Sequence, residues 1–170
     1  MSATDFVPEI ATSSQAWRDA MDRMAVTDQP GFFQLKAQLP EKGRTNQVFA
    51  ATKKMNVVLK TYATGGENEL HAHSNEDHLF IILQGAATFY GPRGEEKVLK
   101  KNGGIILPKG VLYRFIAHED EPLVLLRVGA VIDEEKDPLA RTDESGLPFD
   151  GYHEKNKEIP CVLSADRWFL

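Results

Sequence analysis

The chain has 170 residues and one cysteine, Cys161. A lone thiol makes no intrachain disulfide and no cysteine-based zinc site. Cys161 has no histidine or basic cluster near it in sequence, so it reads as a buried structural thiol. No apolar run approaches the roughly 18 residues of a membrane span, and no membrane partner is expected. The first residues, MSATDFVPEIATSS, lack both the basic stretch and the apolar core of a signal peptide, so a cytoplasmic protein is expected. Basic residues form no stripe interleaved with aromatics, which argues against nucleic acid. Walker, G-x-S-x-G and G-x-G-x-x-G patterns are missing, and Gly103-Gly104 reads as a hairpin turn.

What is there is ordinary in bulk. Hydrophobic residues make up 42% and charged residues 26%, the balance of a globular domain. The net charge of −5 is unevenly placed. Residues 1–31 carry two basic and five acidic groups, residues 32–131 thirteen and ten, residues 132–170 five and ten. A mildly positive middle is compatible with an anionic small molecule. Texture divides the chain into an N-terminal extension with a helix (1–31), a β-rich body (32–132) and an irregular C-terminal tail (133–170). The tail ends in Trp168-Phe169-Leu170, so it is expected to dock on the body or on a partner subunit.

Thr12 and Gln15 have capping-box spacing, with Thr12 as the cap. Trp17, Met21 and Met24 then form one helical stripe, a packing face. From Phe32 onward, short runs of Val, Ile, Leu, Phe and Tyr alternate with turn signals. Strands are expected near 32–39, 46–52, 55–63, 69–73, 78–84, 86–90, 96–99, 104–107, 111–117 and 123–131. Without helices between them they make an all-β sandwich or barrel. FIIL at 80–83 and LVLL at 123–126 are apolar on both faces. Their outer faces need a cover: a second sheet, the terminal segments or a partner subunit.

Three of the five histidines fall at 71, 73 and 78. Alternation puts His71 and His73 on one face of a strand, Cα atoms about 6.6 Å apart. Two imidazoles so placed can converge on one cation. His78 follows a polar turn, Ser74–Asp77, and can return opposite the pair. Imidazole suits iron, zinc, nickel and copper, and three imidazoles without thiolate leave coordination positions open.

Gly65-x5-His71-x-His73-x4-His78-x6-Gly85 resembles the first motif of the cupin superfamily. That motif has a glycine, H-x-H, a glutamate three or four residues on, and a glycine six residues later. His78 stands in the glutamate position, with Asp77 as the carboxylate at the shorter spacing. The step to Gly85 favours His78 as the third ligand. Gly103, Pro108 and Gly110 resemble the second motif, where Tyr113 replaces its histidine and Ala117 its asparagine. The resemblance implies a double-stranded β-helix, or jelly roll, with the helix and tail packed outside it. It also implies a homodimer.

The same resemblance implies a divalent transition metal on His71, His73 and His78, with iron preferred over zinc, nickel, manganese or copper. Read as lacking the motif's glutamate, the site would stay more positive and favour an anion. Tyr113 is a phenolate ligand, a hydrogen-bond donor or acid/base beside the metal, or a core residue. Arg127, in the apolar run LVLLRVGA, is either a clamp for a substrate carboxylate or a structural ion-pair partner. Alternation makes Phe80 and Ile82 inward with His78, and Val111, Phe115 and Ala117 inward with Tyr113. Phe80, Ile82 and Phe115 are therefore expected to line a pocket. His118 and His153 read as surface residues. The expected function is an enzyme on a small organic acid or phenolic compound, a dioxygenase ahead of a lyase or isomerase. The alternative is a non-catalytic cupin that binds a metal or small ligand for structure, storage or sensing.

Overall fold

Ser13 rather than Thr12 caps the helix. Its hydroxyl accepts from the Ala16 backbone N–H at 3.0 Å, and α1 runs over Ser14–Met24. The computed structural model describes residues 6–63, 68–156 and 159–170. Gly65, with which the first motif begins, lies outside the described residues.

The strands are β1 (Ala37–Lys42), β2 (Arg44–Ala51), β3 (Met55–Tyr62), β4 (Ala72–His73), β5 (Glu76–Gln84), β6 (Ala86–Tyr90), β7 (Glu96–Lys100), β8 (Gly104–Leu107), β9 (Arg114–Ala117), β10 (Leu123–Val131), β11 (Arg141–Thr142) and β12 (Val162–Phe169). They build a five-stranded sheet in the order β2-β3-β10-β5-β8 and a three-stranded sheet β7-β6-β9. Two small sheets, β1-β12 and β11-β4, complete the set. The architecture is a mostly-β jelly roll whose sheets do not close. Its central core joins Tyr62, Phe80, Ile82, Leu107, Leu123 and Leu125 of the large sheet to Ala87, Phe89, Phe115 and Ala117 of the smaller one. Tyr113 belongs to the same core.

The outer face of the large sheet is covered by the chain's own ends. Leu59, Phe49 and Val124 pack under Ala37 and Leu39, with Leu83 and Phe169 against them. The tail is thus less irregular than expected, because Val162–Phe169 forms a full strand antiparallel to β1. The helix, by contrast, does not pack outside. Trp17 and Met21 sit on Val48 and Val58. Val48 pairs with Val58, and Val58 with Arg127, so these residues share a face. That face carries Leu123 and Leu125, members of the central core, so α1 closes the inner side of the sheet. Tyr152 helps to hold this closure, donating to the Ala11 carbonyl at 2.7 Å.

Two smaller expectations fail. Cys161 is exposed, not buried. Val111 is 41% exposed because regular pairing in β9 begins only at Arg114.

Candidate metal centre

β5 begins at Glu76, two residues earlier than expected, and this decides the site. Glu76, His78, Phe80 and Ile82 are all buried, while Asp77, Leu79 and Ile81 alternate outward. Asp77 accepts from the Lys109 backbone N–H at 2.7 Å on the outer side. Neither it nor an empty position supplies the carboxylate. Glu76 does, at the three-residue spacing from His73, so the expectation of a site without an anionic group is corrected. The alternation of residues 76 and 78 was a signal in the sequence that would have found it.

His71, His73 and His78 are each at most 5% exposed. Ring centroids of His71 and His73 are 5.2 Å apart, and those of His73 and His78 are 3.9 Å apart. Ligand-capable atoms of His73, Glu76 and His78 lie within 4.8 Å of one another. His71 is placed by an exchanged pair of backbone hydrogen bonds with Tyr113, at 3.1 and 3.0 Å. The turn Pro108–Gly110 holds His73 from the other side, Gly110 donating to the His73 carbonyl at 2.9 Å.

The imidazoles are kept neutral. Burial lowers all three pKa values, and for His78 burial and then Arg127 bring it to about 3 despite Glu76. His71 Nδ1 lies 2.8 Å from the Glu69 carbonyl, which can only accept, so Nδ1 carries the proton and Nε2 keeps its lone pair. His71 Nε2, His73 Nδ1 and His78 Nδ1 are buried without a partner among the described residues. Neutral imidazoles with orphaned nitrogens beside a carboxylate are a donor set that fits a transition-metal ion.

Arg127, buried in β10, is engaged through both its Nη atoms. Its Nη1 donates to Asn56 Oδ1 and its Nη2 to Glu76 Oε2, and Nη2 lies 2.8 Å from His78 Nε2. Asn56 Nδ2 closes the network on Glu76 Oε1 at 2.6 Å. Burial alone would raise the Glu76 pKa, but Arg127 and hydrogen bonds from His78 and Asn56 outweigh it and hold it at about 2. Asn56, Gly129 and His78 are register partners across β3, β10 and β5. A side chain at Gly129 would meet Glu76 Oε1 at 2.5 Å and Asn56 Nδ2 at 2.9 Å, so this glycine makes room for the network.

Tyr113 stands beside His71, ring centroids 4.7 Å apart. Burial raises its phenol pKa, which keeps the proton on oxygen and favours a donor over a phenolate. Tyr113 also walls an apolar groove of about 500 Å³ with Phe89, Ile105, Leu107 and Val111. Phe80, Ile82 and Phe115 do not line that groove. They pack as a floor beneath the histidines, Phe80 5.6 Å from His78 and 6.2 Å from Phe115. His118 is half-buried against Thr88, and His153 is exposed.

Residues 58–129 match the family model for the cupin domain. This stretch of the chain is a cupin domain. Its fold is similar to that of a cupin superfamily protein from Desulfitobacterium hafniense (TM-score 0.51, 18% identity, 64% of this chain and 98% of that one). It is also similar to KdgF from a Halomonas species (TM-score 0.50, 19% identity, 64% and 99%). A 49-residue stretch is 39% identical to the uncharacterized protein YdbB of Bacillus subtilis, covering 29% of this cupin and 43% of the relative's length. At these identities the solved structures establish the fold. No helix among the described residues is long and apolar enough to cross a membrane.

Proposed function

We propose that this cupin binds a divalent transition metal at His71, His73, Glu76 and His78 and acts as an enzyme on a small organic acid or phenolic compound. The observation that carries this reading is the set of three neutral, buried imidazoles, whose free nitrogens find no partner among the described residues, beside an ionised carboxylate. Iron is the preferred metal and dioxygenation the preferred reaction, since ferrous iron with imidazole and carboxylate ligands and open positions supplies dioxygen chemistry. Glu69 fixes the His71 tautomer, Arg127 and Asn56 orient Glu76, and Tyr113 offers a proton donor. The apolar floor of Phe80, Ile82 and Phe115 excludes water from below.

Metal analysis of protein purified without added metal or affinity tag tests the reading. Stoichiometric iron, with oxygen uptake that depends on ferrous ion, supports it. His73→Ala should abolish metal binding and leave the β-sheet circular-dichroism spectrum unchanged. Metal retained by that variant would move the site elsewhere.

One observation favours the second reading, a non-catalytic metal- or ligand-binding cupin. The histidines are covered on all sides, while the large groove begins only beyond Tyr113. Stoichiometric metal without turnover on any small acid or phenol would select it. A homodimer and cytoplasmic residence remain proposals of the same kind. The exposed Phe32, Ile106 and Leu170 are where a second copy would find apolar surface.

A further inference from the structure

We propose that Arg141 is a carboxylate-recognition residue, holding a small organic anion beside the histidine cluster. The proposal rests on the enzyme reading above and names the charge of its substrate. From sequence Arg127 was either a carboxylate clamp or a structural ion-pair partner, and Asn56 and Glu76 take up both its Nη atoms.

Arg141 arrives from the tail. β11 pairs antiparallel with β4, and Arg141 is directly opposite His73. Opposed residues of an antiparallel pair project to the same face, so Arg141 and His73 face the same interior. Its Nε and Nη1 are buried and have no hydrogen-bond partner among the described residues. The guanidinium is seated in a shaped place, since a Cβ on Gly151 would fall 2.6 Å from Nη2 and 2.8 Å from Cζ. Tyr62, Tyr113, His71 and His73 all feel its charge.

Among the described residues the surroundings add positive charge and no free carboxylate. Arg44 lies close enough to lower the Arg141 pKa, after burial, and Arg127 does the same. Arg44 donates to Asn68 and to the Gly151 carbonyl. Glu76 is already bound by Arg127, Asn56 and His78. A buried lysine or histidine in this position would shed its proton. A guanidinium does not. A buried charge without a partner is costly, and the group that relieves it is an anion from outside the chain. A carboxylate suits the guanidinium best, through charge-assisted hydrogen bonds.

Ligand-observed NMR on metal-free protein tests this with matched pairs: formate against formamide, acetate against acetamide, benzoate against benzamide. At least one carboxylate should bind roughly tenfold or more tightly than its amide, the ratio expected from a charged hydrogen bond. Arg141→Gln should erase that preference, and Arg141→Lys should keep part of it. Equal binding of carboxylates and amides to the wild type overturns the proposal, even if Arg141→Gln fails to fold. So does a preference that survives in a folded Arg141→Gln. Zinc stoichiometry, measured separately on the wild type and on His73→Ala, keeps the two readings apart. Anion preference without metal binding would sink the metal centre and leave Arg141 standing. Metal binding without anion preference would do the reverse.

Discussion

The interior of this barrel has two halves built by the same strands. In one, β5 and β10 turn Ile82, Leu123 and Leu125 inward, against Phe89 and Phe115. In the other, the same two strands turn inward Glu76, His78 and Arg127, with Asn56 joining from β3. Backbone geometry and alternation are common to both. The dry half is held by apolar burial and aromatic contacts such as Phe89 on Phe115, 5.0 Å between centroids. The polar half holds costly groups, among which Glu76, Arg127 and Asn56 stay because each satisfies another. Stability in the first is spread over many contacts, and in the second it is concentrated in one network. A site belongs where the chain tolerates that concentration.

Acid should separate the halves most sharply. His71, His73 and His78 are neutral in the fold but protonate near 6.5 when unfolded. The unfolded chain therefore binds more protons below that pH, and stability falls as pH drops. Metal-free protein should lose stability steadily between pH 7 and pH 5. Glu76 adds a further loss between its unperturbed value of 4.5 and about 2, since its lowered pKa stabilises only the ionised form. Urea unfolding at pH 7, 6 and 5 measures this. His73→Phe should flatten the curve, whereas Leu125→Ala, from the dry half, should lower it by about 2–5 kcal/mol without changing its slope. Equal slopes in both variants would dissolve the distinction.

Arg127→Met should cost about 3–5 kcal/mol at pH 7, because it strands the Glu76 charge in the interior. Glu76→Leu combined with Arg127→Met should cost less than Arg127→Met alone, since no unpaired ion is left. Leu125→Ala has no partner whose loss restores it. Gly129→Ala comes next, at about 1–3 kcal/mol, because the added methyl overlaps the Asn56–Glu76 contact. Its metal affinity should drop as well, a readout that plain overpacking of the dry half would not give.

Much of this was legible in the sequence. Apolar runs between turn residues located the barrel strands, and parity turned Phe80, Ile82 and Phe115 inward. The errors share a cause. Placing the start of β5 at 78 hid Glu76, although residues 76 and 78 share a face in any strand containing both. β12 was missed because VLSADRWF has one buried residue, Ser164, and its partner β1 lies at the far end of the chain. Arg127 was visible and its ion-pair reading holds, but its partners Asn56 and Glu76 come from separate strands and could not be named. Arg141 gave no local signal at all. It reaches the histidines through a two-residue strand whose pairing is entirely non-local.

The smallest prediction bears on the alternation itself. Asp77 lies between the two inward residues Glu76 and His78, and its carboxylate holds the Lys109 N–H on the outer side of the sheet. If parity separates structure from chemistry here, Asp77→Ala should cost about 0.5–1 kcal/mol, the worth of one exposed hydrogen bond. Metal stoichiometry should be unchanged, and His78→Ala should lower it. A loss of metal in Asp77→Ala, with unfolding midpoints otherwise near the wild type, would mean that the strand slips by one residue in solution. A one-residue slip exchanges the faces of every side chain on β5. It would take Phe80 and Ile82 out of the core together with Glu76 and His78, so the apolar floor makes that slip expensive and ties the register of the site to the packing of the dry half.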